Sequence, residues 1–135
     1  MLTNTFIHLP RVGKVTEMEL WQSGVQTWDD FIAADSITSR VDGQRDYLKS
    51  LISESQERLE EKNARYFNSC LSFRDMWRLY ADFRTNAAFL DIETTGLSPD
   101  SSHITMVGIL DSEGYSAFVY DENLDDLREA MEKYD

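Results

Sequence analysis

The sequence predicts an α+β chain: a helical amino-terminal region, then a short β-meander closed by one helix. Three observations predict it. Up to about residue 84, apolar residues recur at three- and four-residue steps. From Ala87 they fall in short runs separated by polar turns, and after Asn123 the helical spacing returns. The 135 residues, 41% of them hydrophobic and 12% aromatic, suffice for one domain or two small ones and exclude a disordered tail or a low-complexity chain. No apolar run approaches the ~20 residues that span a bilayer, and the first residues do not show the charged-then-apolar pattern expected of a leader. The single cysteine, Cys70, has no partner for an internal disulfide or a zinc cluster, so a reducing, cytoplasmic setting is expected.

Residues 5–34 read as short helices joined by turns. Leu9-Pro10-Arg11-Val12-Gly13 suits a tight turn, with Pro10 fixing one dihedral and Gly13 free to take an unusual one. Thr16 to Trp21 suits a helix stopped by Gly24. Thr27 is placed to cap the next helix, whose first turn carries Asp29 and Asp30 and whose Phe31 and Ile32 face inward. From Gln44 to Cys70 the pattern is one continuous helix. Leu48, Leu51, Ile52, Ser55, Leu59, Tyr66, Phe67 and Cys70 form its inner stripe, with Glu54–Arg58 and Glu61–Arg65 as i,i+4 pairs. A further helix is expected from Ser72 to about Arg84, its Phe73, Met76, Trp77, Tyr80 and Phe83 packed in a core.

Ala87–Glu93 is predicted as a buried strand, Thr94–Ser102 as a polar loop holding Gly96 and Pro99, and Ile104–Leu110 as a second strand. Asp111-Ser112-Glu113-Gly114 reads as a hairpin turn into a third strand, Tyr115–Tyr120. Asn123 is expected to cap a final helix carrying Leu124, Leu127, Met131 and Tyr134 on one face. The segments divide as 1–40, 41–84 and 85–135.

Charge follows the same division. The chain has 13 basic and 25 acidic residues, a net of −12. Residues 1–86 carry 11 basic and 13 acidic, whereas residues 87–135 carry 2 and 12, a net of −10. The second part alone should repel nucleic acid, whose binding rests on cations neutralising phosphates. Its carboxylates either form a solvated acidic surface or gather a divalent cation that reverses the local charge. The string Phe89-Leu90-Asp91-Ile92-Glu93-Thr94-Thr95-Gly96 points to the second reading. Two residues apart on a strand, Asp91 and Glu93 share a face. Adjacent carboxylates there take up a proton or a hard cation such as Mg²⁺ or Mn²⁺. Gly96 lets the backbone turn away just past them.

Asp91-Ile92-Glu93-Thr94-Thr95-Gly96 resembles the first motif of the DEDD 3′–5′ exonucleases, which have the ribonuclease-H-like fold, and the strand–hairpin–strand order that follows resembles that fold's opening meander. The amino-terminal run through Thr27-Trp28-Asp29-Asp30-Phe31 resembles the leader of the YprB-type subfamily. The resemblance implies that Asp91 is the first metal-ligand carboxylate and that Glu93 is the second, positioning the attacking water; the alternative is that the two merely end an exposed edge strand, against which Phe89, Leu90 and Ile92 make the strand look internal. The resemblance implies that Thr94 and Thr95 help hold the terminal nucleotide, with the 3′ end of DNA or RNA as substrate. It also implies a chain cut short. The family draws two further Asp residues and a general-base His or Tyr from later elements, and neither His8 nor His103 lies where that base is expected. Two of four ligands imply weak metal affinity and little hydrolysis.

The Pro10–Gly13 turn resembles helix-hairpin-helix modules, which implies phosphate contacts by Arg11, Gly13 and Lys14. The alternative for this segment is a helical cap in which Trp21, Trp28 and Phe31 pack together. Arg74, Arg78 and Arg84 are either a basic flank or surface solubility. For the whole chain the alternatives to an exonuclease portion are a non-catalytic nucleic-acid-binding module and a protein-interaction module. An incomplete sheet would leave an edge open to self-association.

Overall fold

The computed structural model describes residues 2–37, 39–98 and 100–134, without the side chain of Ser39. Pro99, expected in the polar loop, and Asp135, the last residue of the 85–135 segment, lie outside them. The chain is α+β and divides into two compact units, Met1–Phe83 and Arg84–Asp135. Among the described residues no helix is long and apolar enough to cross a membrane.

The first unit is helical: a 3₁₀ turn at Leu2–Asn4, then α1 (Lys14–Gln22), α2 (Trp28–Ala33), α3 (Ser39–Asp42), α4 (Arg45–Glu60) and α5 (Ala64–Cys70). A 3₁₀ segment at Phe73–Leu79 then runs into α6 (Tyr80–Phe83). One core joins Leu2, Phe6, Leu20, Trp28, Phe31, Leu48, Ile52, Phe67 and Phe83, so residues on both sides of position 40 share it. Burying each large side chain stabilises by ~1.5–3 kcal/mol. The cap on α2 is as the sequence predicts. Thr27 Oγ1 accepts from Asp30 N (3.1 Å) while Asp30 Oδ2 accepts from Thr27 N (2.8 Å), a reciprocal box that satisfies two orphan donors. The carbonyls at the other end of α2 are met by cations from α4, Lys49 on Ile32 and Arg45 on Ala34.

Three expectations for this unit are corrected. The unusual backbone angle falls on Arg11 (φ 64°), whereas Gly13 is extended (φ −99°, ψ 178°) and precedes α1. The long helix breaks after Glu60: Lys62 takes a left-handed angle (φ 56°) and Asn63 caps α5 by accepting from Tyr66 N (3.0 Å). A polar side chain able to cap thus starts a new helix where neither Gly nor Pro marks the place. Arg58 pairs with both Glu54 and Glu61. The segment after Ser72 is rotated relative to its expected stripe. Phe73, Trp77 and Tyr80 are 88%, 70% and 51% exposed, while Asp75 and Phe83 are buried. The first two turns are 3₁₀, whose three-residue repeat does not carry the i, i+4 stripe assumed from the sequence.

The second unit is the predicted β-β-β-α. Strands β1 (Phe89–Thr94), β2 (Ile104–Asp111) and β3 (Gly114–Val119) form an antiparallel sheet in the order β1-β2-β3, followed by a 3₁₀ turn at Leu124–Asp126 and α7 (Leu127–Met131). Val107, Ile109 and Phe118 are buried on one sheet face under Leu124, Leu127, Ala130 and Tyr134. Two details differ from expectation. Asn123 does not cap the last helix with its side chain. It turns back to β3, accepting from Val119 N (2.8 Å) and donating to Ala117 O (3.0 Å). Strand β1 is not buried: among the described residues it pairs with β2 alone, is the edge of the sheet, and exposes all six residues.

Candidate functional site

The register of β1 and β2 fixes which side chains share a face. Leu90 pairs with Ile109 and Ile92 with Val107, so these point toward the helix-covered side, where Ile109 and Val107 are buried. Asp91 pairs with Gly108 and Glu93 with Met106, so both carboxylates project from the opposite, open face. The bulge comes only between Glu93 and Thr94, after the acidic pair, and leaves its alternation intact. Both residues are exposed, and among the described residues neither is held by an ion pair or by another side chain. An arginine locked to either would have spent the charge a cation needs.

Gly108 and Tyr115 complete this face, and the sequence reading passed over them. A Cβ at Gly108 would sit 3.0 Å from the Tyr115 hydroxyl and 3.2 Å from its ring. The aromatic ring therefore lies over the glycine directly opposite Asp91, which brings a phenol beside the acidic pair. The signal was a lone glycine inside an otherwise apolar strand, a pattern that marks a close approach.

The two threonines shape the turn that follows. Thr94 Oγ1 donates to Gly96 O (2.8 Å). Thr95 N donates to His103 O (3.0 Å), and Thr95 Oγ1 accepts from His103 N (3.1 Å). The backbone bends on both sides of Gly96, which itself takes no left-handed angle. What it contributes is room, since a Cβ there would lie 2.9 Å from Ser102 Oγ. His103 lies against Tyr120, with ring centroids 4.7 Å apart and the planes tilted by 44°.

In the helical unit, Arg11, Gly13 and Lys14 are all exposed near the start of α1. Lys14 Nζ meets Asp75 Oδ1 at 3.0 Å, so its charge is already matched by a carboxylate. His8 is buried in the same unit, beside Trp28 and Phe67, with its Nε2 3.1 Å from Ser55 Oγ. Burial holds its pKa down, from the usual 6.5 to about 4, so the ring is neutral.

Carboxylate oxygens suit Mg²⁺ or Mn²⁺, and Asp91 and Glu93 offer them unencumbered. They are a pair, however. Among the described residues no group of three or more His, Cys, Asp or Glu is placed to hold a metal ion. The donor type fits such an ion, and the donor number makes half a site.

A family model described as RNase_H superfamily matches residues 88–135, the stretch that contains the sheet, the acidic pair and the last helix. No curated protein and no solved structure matches the chain.

Proposed function

We propose that residues 88–135 serve as the opening part of a metal-dependent 3′–5′ exonuclease of the DEDD type, in a chain of the YprB-type subfamily. The observation that carries this reading is the acidic pair: Asp91 and Glu93 on one open face of β1, with no basic side chain neutralising either among the described residues. The RNase_H superfamily match over the same residues supports it. Asp91 and Glu93 would hold Mg²⁺ or Mn²⁺. A bound ion supplies activation of water and stabilisation of the leaving oxygen in phosphodiester cleavage. Thr94 and Thr95 hold the turn beside the carboxylates, where the terminal nucleotide of a DNA or RNA 3′ end would lie, and the Tyr115 ring bounds the face.

Residues 88–135 offer two of the four carboxylates such a site uses, so by themselves they would bind the ion weakly and hydrolyse little. Among the described residues β1 is the edge of the sheet, so a further strand, from a second copy or another segment, is expected to pair there. A second reading, nucleic-acid binding without catalysis by the helical unit, is favoured by the exposure of Phe73, Trp77 and Tyr80.

The test is thermal unfolding of the second unit, followed by circular dichroism with millimolar Mn²⁺. The midpoint should rise for the native chain and stay put in Asp91→Ala. An equal rise in both proteins, or none in either, would refute the assignment.

A further inference from the structure

We propose that the cavity bordered by Trp21, Trp77 and Tyr80 in the helical unit takes one unpaired nucleobase of a single-stranded nucleic acid. The proposal rests on the nucleic-acid reading above, but not on the metal site.

It starts from the inverted segment that follows Ser72. A helical segment buries its apolar side when packing alone decides. Here the aromatic residues Phe73, Trp77 and Tyr80 face water, and the charged residues Asp75 and Arg78 face the protein. The inversion is held by ions. Arg78 donates to both carboxylate oxygens of the buried Glu17, at 3.2 and 3.0 Å, and to Thr5 Oγ1 at 3.2 Å, while Lys14 reaches Asp75. A buried ionic network is seldom more stable than apolar packing of the same volume. Its effect here is orientation, because it keeps the aromatic side outward. Departures of this kind from local rules concentrate at functional sites.

What the network presents is a cavity of about 370 Å³, lined by Asn4, Thr5, Trp21, Trp77, Arg78, Tyr80 and Ala81. Its rings are held. Trp21 Nε1 donates to Asn4 O (3.1 Å), and the Arg78 guanidinium lies 5.3 Å over the Trp77 ring. The volume sits at the small end of ligand pockets, which run from ~300 Å³. That is room for one ring system, whereas a stable protein interface covers ~800 Å² on each partner. Rings with an arginine beside them are the composition on which unpaired bases stack. Arg74, exposed on the same segment, supplies a cation for the adjoining phosphate.

The experiment is fluorescence anisotropy of a labelled oligothymidylate titrated with the full chain in EDTA. A strand of the same length without bases is the control. Trp77 is exposed, so Trp77→Ala should leave the fold intact, as circular dichroism will report. Losing one stacked base should weaken binding roughly five- to a hundredfold. Trp77→Phe should keep most of the affinity, and the abasic strand should bind as weakly as Trp77→Ala does. Equal binding of the two strands, or undiminished binding by Trp77→Ala, overturns the proposal. So does a Trp77-dependent change in sedimenting mass without oligonucleotide, which would make the patch a self-association surface. EDTA keeps metal from the acidic pair, so this titration reads the base cavity alone. Failure of the metal site and failure of the base site are thereby told apart.

Discussion

Lowering the pH should destabilise the helical unit through His8, well before carboxylates titrate. The ring is buried against Trp28 and Phe67, hydrogen-bonds to Ser55 Oγ, and has an Nδ1 without a hydrogen-bond partner among the described residues. Its pKa in the folded chain is about 4, against 6.5 when exposed, and desolvation is the chief cause. Between those values the unfolded chain binds a proton that the folded chain refuses, so stability rises with pH across the window. It is complete above pH 6.5 and lost as pH falls toward 4. A shift of this size corresponds to about 3 kcal/mol in total, and to about 2 kcal/mol by pH 5. For a unit of this length the latter lowers Tm by roughly 10 °C. All three tryptophans, Trp21, Trp28 and Trp77, lie in this unit, so intrinsic fluorescence during urea unfolding reports on it alone. In His8→Gln the dependence between pH 4.5 and 6.5 should flatten (the carboxylate losses at lower pH remaining). An unchanged slope in that variant would refute the reasoning.

Breaking the buried pair between Glu17 and Arg78 by Arg78→Met should cost about 3–5 kcal/mol in urea unfolding, because it strands a carboxylate that is 1% exposed. The double change Glu17→Met/Arg78→Met should recover much of that loss. In the second unit, hydrogen bonds from Lys133 and then Tyr134 hold the Asp111 carboxyl far below the usual carboxylate range. Carbonyl NMR titration should show its pKa rising toward the ordinary value in Lys133→Ala. The stability that this carboxylate adds above its ordinary pKa, which the native chain loses as the pH falls toward strong acid, should be absent from the variant.

Much of the second unit was legible in its sequence because strand signals are local. Apolar runs, the Asp111–Gly114 turn and the returning helical spacing each mark their own element, and the two-residue spacing of Asp91 and Glu93 already implies a shared face. The edge position of β1 was not legible. Phe89, Leu90 and Ile92 look internal, yet burial depends on which strands stand beside them. In the helical unit, the Thr27 cap was legible from adjacent residues, whereas the turn of the Phe73–Phe83 segment depends on Glu17 and Lys14, far away in sequence. Periodicity reports that a stripe exists; the distant ion pairs decided which side faces in. Tyr115 escaped notice for a related reason, since its place beside Asp91 comes from cross-strand register.

The acidic face itself is tested most directly by NMR with sub-stoichiometric Mn²⁺. The ion should broaden the amides of Asp91, Ile92 and Glu93 and of the facing Gly108 first, and Asp91→Asn should abolish that pattern. Broadening centred instead on the acidic stretch from Asp121 to Asp126, or persisting unchanged in Asp91→Asn, would contradict the account.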